Sequence, residues 1–178
     1  MEGMEDAGNH RVVVGVSGSL GSLTALHHAA AEARRTGAVL VTVLAWEPPG
    51  GEFAYRRSPC PPLLREWQDR ARRQLVDSLE SAFGGLPADL AVRALVVRGP
   101  AGWALTHVAD RPDDVLVVGA GRRGRLRRLL TPSVARHCLV HAGCPVLAVP
   151  RSPLHEVLED VHRRNAWRLP LHAAAPLR

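Results

Sequence analysis

Five short apolar runs, spaced by segments of helical periodicity, constrain this chain more than any other feature. The runs are residues 11–16 (RVVVGV), 38–46 (AVLVTVLAW), 90–97 (LAVRALVV), 114–118 (DVLVV) and 145–149 (PVLAV). The first is continuously apolar and ends in Ser-Gly, the pattern of a strand buried on both faces. After a Gly/Ser turn at 18–22, Leu23, Leu26, Ala29, Ala30 and Ala33 recur at helical spacing until Gly37 closes the helix. Leu64, Trp67, Ala71, Leu75 and Leu79 mark one stripe of a long amphipathic helix. Gly99 and Pro100 open a short helix reaching about Asp110. A last helix is expected from Pro132 to about His141, with Thr131 as N-cap and Pro132 in the first helical position. Residues 47–62, rich in Gly and Pro, are expected to form an irregular loop. Strand and helix therefore alternate throughout. The economical solution is an α/β fold, an open doubly wound five-stranded parallel sheet with right-handed crossovers and helices on both faces.

Aromatic residues make up only 4% of the chain, so Val, Leu and Ala must fill the core. The 178 residues suffice for one domain with a substantial interior. The organisation expected is a flexible N-terminal lead over 1–10, a domain over 11–150 and an extension over 151–178. In that extension Leu154, Val157, Leu158 and Val161 fit one helical face ahead of a tail. No apolar run approaches the roughly 20 residues of a membrane span. The first ten residues hold three acids and no Arg or Lys, unlike a secretory leader, and the expected location is the cytoplasm. Cys60, Cys138 and Cys144 form an odd set without a CxxC pair, so in a reducing compartment they read as buried or free thiols and not as a disulfide framework.

In an open parallel sheet, ligands bind beyond the carboxyl ends of the strands where the winding reverses. With the first and fourth strands as neighbours, Gly15, Val16, Ser17 and Gly18 lie beside Gly119, Ala120, Gly121 and Arg122. The last helix would aim its N-terminus at the same crevice, where free amides and the helix dipole suit a phosphate.

The stretch 115–150 (VLVVGAGRRGRLRRLLTPSVARHCLVHAGCPVLAVP) resembles the C-terminal signature of the universal stress protein family. Residues 11–33 resemble the family's opening, and residues 98–119 its third helix and fourth strand. The resemblance implies strand order 3-2-1-4-5, a Rossmann-like sheet of the adenine nucleotide alpha hydrolase kind. It also implies a homodimer paired through the last strand, at Val146, Leu147, Ala148 and Val149. The function it implies is regulation of a stress response, without a catalytic cycle or catalytic residues.

ATP-binding members carry Gly-x2-Gly-x9-Gly-Ser/Thr between the fourth strand and the fourth helix, and an aspartate after the first strand. Here the motif positions read Gly119, Arg122, Pro132 and Ser133, and Ser17 stands at the aspartate. Pro132 supplies no N–H, and Arg122 brings bulk but also a guanidinium able to clamp a phosphate. Ser17 cannot accept the two ribose hydroxyl bonds of a carboxylate. Weakened or altered binding of ATP, or of a related adenine nucleotide, follows. The residues implied are Gly15, Val16, Ser17, Ala45, Val118, Gly119, Arg122, Pro132, Ser133 and Val134, and Mg would enter only with ATP. The alternative is a dimeric interaction module that binds no ATP and meets a protein partner through its dimer surface or the 151–178 extension.

Other patterns carry less. Residues 122–128 (RRGRLRR) hold five arginines but no interleaved aromatics for base stacking, which argues for a solvated loop over a nucleic-acid site. Residues 17–22 (SGSLGS) lack the Gly and Asp of the SGGxDS loop of ATP pyrophosphatases. His137 and His141 stand four apart on a helix with no third ligand, so no metal site is read there.

Overall fold

The computed structural model describes residues 10–85, 87–120 and 133–150. Residues 1–9, the arginine run with Arg122, Thr131, Pro132 and the extension 151–178 lie outside the described residues. The elements follow the expected alternation: β1 (Arg11–Gly15), α1 (Leu20–Thr36), β2 (Val39–Trp46), α2 (Gly51–Arg57), α3 (Pro61–Phe83), β3 (Val92–Arg98), α4 (Ala101–Val108), β4 (Val115–Gly119), α5 (Val134–His141) and β5 (Val146–Val149). The five strands form one sheet in the order β3-β2-β1-β4-β5, as expected. All pairings are parallel, with Val13 opposite Val41 on one side and Leu116 on the other.

Alternation along the strands divides the core into two layers. Val12, Val14, Val16, Leu40, Leu44 and Val117 face α1 and α3, where they meet Leu26, Ala29, Ala30, Leu75 and Leu79. Val13, Val41, Val43, Leu116 and Val118 face α4 and α5, where they meet Leu105 and Cys138. Leu26, Leu40 and Leu116 are fully buried, and each such side chain stabilises the fold by about 1.5–3 kcal/mol. The alanine stripe of α1 lets that helix sit close to β1 and β4. Gly119 takes the approach further, because a Cβ there would stand 2.8 Å from the Gly21 carbonyl oxygen.

Three expectations need correction. The first is the irregular loop at 47–62, which holds the short helix α2 and the first two residues of α3. No residue of α2 is buried, so no apolar stripe marks it. It is held from outside: Arg98 of β3 donates to both carboxylate oxygens of Glu52 at 3.1 and 2.8 Å and stacks over Tyr55 at 4.9 Å. The second is the start of α1, which begins at Leu20 and not after a turn reaching Ser22. Ser19 is its N-cap, accepting the Ser22 N–H. The third is the start of α5. Ser133 is its N-cap, in an extended conformation, and its hydroxyl accepts the Arg136 N–H at 3.1 Å. An extended Ser133 cannot lie inside α5, so the helix starts at Val134 and not at Pro132, and its cap is Ser133.

At the amino ends of β1 and β4 sits an ion cluster that no sequence pattern announced. Arg11 Nε donates to Asp114 Oδ1 at 2.8 Å, and Nη2 donates to Asp114 Oδ2 at 2.5 Å and Asp110 Oδ1 at 2.6 Å. The Asp114 side chain is fully buried and also accepts the Arg111 N–H at 3.1 Å. Bonding to Asp114 raises the guanidinium pKa above its ordinary value. No helix among the described residues is long and apolar enough to cross a membrane.

Candidate functional site

At the opposite end of the sheet the chain leaves a cleft of about 250 Å³. It opens where α1 leaves β1 on one face and α5 follows β4 on the other, the switch point of the strand order. Three kinds of surface meet there.

One wall is apolar and comes from Val43 and Ala45 of β2, Val118 of β4, and Ala101 and Leu105 of α4. Gly15 ends β1 against this wall, where a Cβ would stand 2.9 Å from Leu105 Cδ1. The glycine therefore lets Leu105 close over the strand end. The α4 and α5 sides are locked together at Gly102, whose hypothetical Cβ would lie 2.7 Å from the His137 ring.

The second surface is a cluster of hydroxyls. Ser17 Oγ and Ser19 Oγ lie 3.0 Å apart, the Ser17 N–H donates to Ser22 Oγ at 3.2 Å, and Ser22 Oγ donates to the Ser19 carbonyl at 2.8 Å. Ser22 is buried, whereas Ser17 and Ser19 are open to solvent. The turn is possible because Gly18 adopts a left-handed φ of 69°.

The third surface is the first turn of α5. Ser133, Val134 and Ala135 line the cleft. The first amides of an α-helix have no acceptor within it, so Val134 and Ala135 present N–H groups at its positive end. The Ser133 oxygen accepts from Arg136, which leaves its hydroxyl proton free to donate outward.

Gly15, Val16, Ser17, Ala45, Val118, Gly119, Ser133 and Val134 are thus gathered around one space. Arg122 and Pro132 lie outside the described residues. Sequence reasoning missed Ser19, Ser22, Val43, Ala101, Leu105 and Ala135. Ser19 had a local signal, since serine is a preferred N-cap just ahead of a helical stripe. Val43 and Leu105 had none, being ordinary apolar residues until the strands are aligned. No carboxylate and no Lys or Arg side chain is among the described residues that line the cleft.

Elsewhere, the His137 and His141 rings stack at 4.3 Å. Among the described residues no cluster of three or more His, Cys, Asp or Glu is able to hold a metal. Cys138 and Cys144 are buried. Burial pushes the Cys138 thiol up to about 11, and it raises Cys144 as well.

The profile of the universal stress protein family matches residues 8–150. Among solved structures, a universal stress protein in complex with cAMP is 30% identical, with a TM-score of 0.53 over 80% of this chain and 98% of that one. The universal stress protein UspA from Lactobacillus plantarum is 18% identical, with a TM-score of 0.57 over 79% and 97% of the two chains. A universal stress protein from Archaeoglobus fulgidus is 23% identical, with a TM-score of 0.51 over 79% and 98%. The last two resemble this chain in fold. No match is found among curated proteins.

Proposed function

Because the chain belongs to the universal stress protein family, we propose that it is a stress-response regulator that binds an adenine nucleotide at the carboxyl ends of β1 and β4. The signal is occupancy of the cleft, with no reaction cycle. The observation that carries the reading is the neutral serine cluster facing the open amides of α5 across a cleft with an apolar wall. Base, ribose and phosphate each have a surface of matching chemistry. Val43, Ala45, Ala101, Leu105 and Val118 take the flat base. Ser17 and Ser19 take the ribose edge, and Ser133, Val134 and Ala135 take a phosphate.

The same chemistry favours a cyclic monophosphate over ATP. A ribose diol is best held by a carboxylate accepting both hydroxyls, and Ser17 stands where that carboxylate would be. In a 3′,5′-cyclic nucleotide the 3′ oxygen is esterified and one 2′ hydroxyl remains, which a serine pair suits by donating or accepting. One phosphate matches the one helix N-terminus that lines the cleft. The 30%-identical relative in complex with cAMP supports this choice. ATP with its Mg is the weaker ligand in this reading, and Arg122 and Pro132 are its remaining motif positions.

The deciding experiment is titration calorimetry of the full chain with cAMP and with ATP. Tighter binding of cAMP is expected, weakened ~10-fold in Ser133→Ala through loss of a hydrogen bond to a charged group. The same variant should lose about 1 kcal/mol of stability through the lost cap. Absence of heat with either nucleotide at millimolar concentration overturns the reading.

A second reading has its own observation. β5 is an edge strand with Leu147 43% exposed, and Leu139 and Val140 of the neighbouring α5 are 58% and 67% exposed. Self-pairing through Val146, Leu147, Ala148 and Val149 would cover part of that surface. Dimer formation and nucleotide binding are compatible, because the cleft lies at the strand ends and not along the edge.

A further inference from the structure

Gln74 stands on the exposed flank of α3, outside the stripe of Ala71, Leu75, Ser78 and Leu79 that anchors the helix. Its Nε2 nevertheless donates to the Ser17 carbonyl oxygen at 3.0 Å, across 57 residues of sequence. A Cβ on Gly18 would stand 3.5 Å from that same Nε2 and 3.6 Å from Ser78 Oγ, so α3 lies directly against the turn. Ser78 spends its own hydroxyl on the Gln74 carbonyl at 2.7 Å, which leaves the Gln74 amide to hold the turn.

The turn needs holding. The peptide between Ser17 and Gly18 is flanked by a glycine in the left-handed region at φ 69°, and glycine restrains rotation on that side very little. The Ser17 N–H is tied to Ser22 Oγ at 3.2 Å, so the residue is fixed on one side by α1. Gln74 fixes the other side. With both ends of Ser17 tied, its hydroxyl stays 3.0 Å from Ser19 Oγ and the pair keeps one orientation at the cleft.

We infer that Gln74 is a positioning residue that orients the Ser17–Ser19 hydroxyl pair toward the ribose by anchoring the Ser17 carbonyl. The inference rests on the nucleotide reading above. Gln74 acts through Ser17, and so its loss is felt in discrimination between sugars more than in fold stability.

The test measures the affinity of the full chain for cAMP and for 2′-deoxy-cAMP in wild type, Gln74→Glu and Gln74→Lys. Glutamate keeps the size but cannot donate to a carbonyl, whereas lysine retains a donor. In Gln74→Glu, cAMP affinity should fall ~5-fold while 2′-deoxy-cAMP changes by less than ~2-fold, collapsing the sugar preference. Gln74→Lys should keep most of that preference, and the melting temperature of both variants should stay within about 2 °C of wild type. An equal loss for both nucleotides, or no loss, overturns the inference. If wild type binds neither nucleotide, the reading of the site fails, and hydrogen exchange then decides on Gln74. Faster exchange of the Ser17 and Ser22 amides in Gln74→Glu, with the sheet unchanged, upholds its hold on the turn, and unchanged exchange refutes it.

Discussion

The two ends of this parallel sheet solve opposite problems. At the amino end, Arg11 and Asp114 bind each other through two hydrogen bonds, Asp110 and Arg111 complete the set, and the Asp114 side chain is wholly withdrawn from water. At the carboxyl end the described lining carries no acid or strong base, only hydroxyls, backbone amides and apolar side chains. Both ends lie on β1 and β4, with only a few residues between them. Paired charges close one end and stabilise the native arrangement of the central strands. The unpaired donors at the other end leave something for a ligand to complete. Breaking the first should unfold the protein, whereas altering the second should change what it binds.

The largest expected effect tests the closed end. Arg11→Met strands a buried carboxylate and should cost about 3–5 kcal/mol in urea unfolding. Nucleotide affinity of the fraction still folded should stay near wild type. A loss of affinity without a loss of stability would reverse the assignment of the two ends. A smaller effect is expected at Gly119. A methyl there would press on the Gly21 backbone at 2.8 and 3.2 Å, forcing α1 away from β4. Gly119→Ala should cost about 1–3 kcal/mol and weaken nucleotide binding, because the serine turn moves with α1. Gly15→Ala meets only the tip of Leu105, at 2.9 Å. It should weaken binding with little loss of stability, since a leucine tip rotates aside into the cleft.

The smallest effect concerns the thiols. Cys144 Sγ lies 4.0 Å from the Ala109 carbonyl behind the ion cluster, and Cys138 is fully buried. Only the partly exposed Cys60 should react with a thiol reagent in the native protein at pH 8. Cys144 should join it in Arg11→Met. The folded thiol of Cys138 is raised to about 11 from an ordinary value of 9.0, so its contribution to stability is present below about pH 9. That contribution is lost as pH rises toward 11, because the unfolded chain then gives up a proton the folded one retains. Stability that is flat across this range in wild type and falls only in Cys138→Ala would contradict this.

Much of the fold was legible because parallel strands buried on both faces leave continuous apolar runs, and amphipathic helices leave stripes. Residues 11–16 and the stripe of Ala71, Leu75 and Leu79 are of that kind. Part of the candidate site was legible for another reason: ligands of an open parallel sheet sit beyond the carboxyl ends of its strands, which singles out Gly15, Ser17 and Gly119, and the family motif singles out Ser133. The short helix α2 was not legible, because it buries no stripe and depends on Arg98 reaching Glu52 across 46 residues. The start of α5 was misplaced, since Thr131 and Ser133 both suit a cap by composition. Only the extended backbone of Ser133 and its bond to Arg136 separate them.

The sequence by itself determined the strands, their parallel character and the resemblance from which their order was drawn. Each of these rests on local periodicity or on contiguous motifs. Tertiary structure alone decided the register that sets Val43 and Leu105 beside Gly15, the reach of Gln74 to Ser17, and the pairing of Arg11 with Asp114. These contacts join residues tens of positions apart through side chains whose types are unremarkable in isolation. Their meaning comes from packing, which fixes distances that no spacing along the chain encodes.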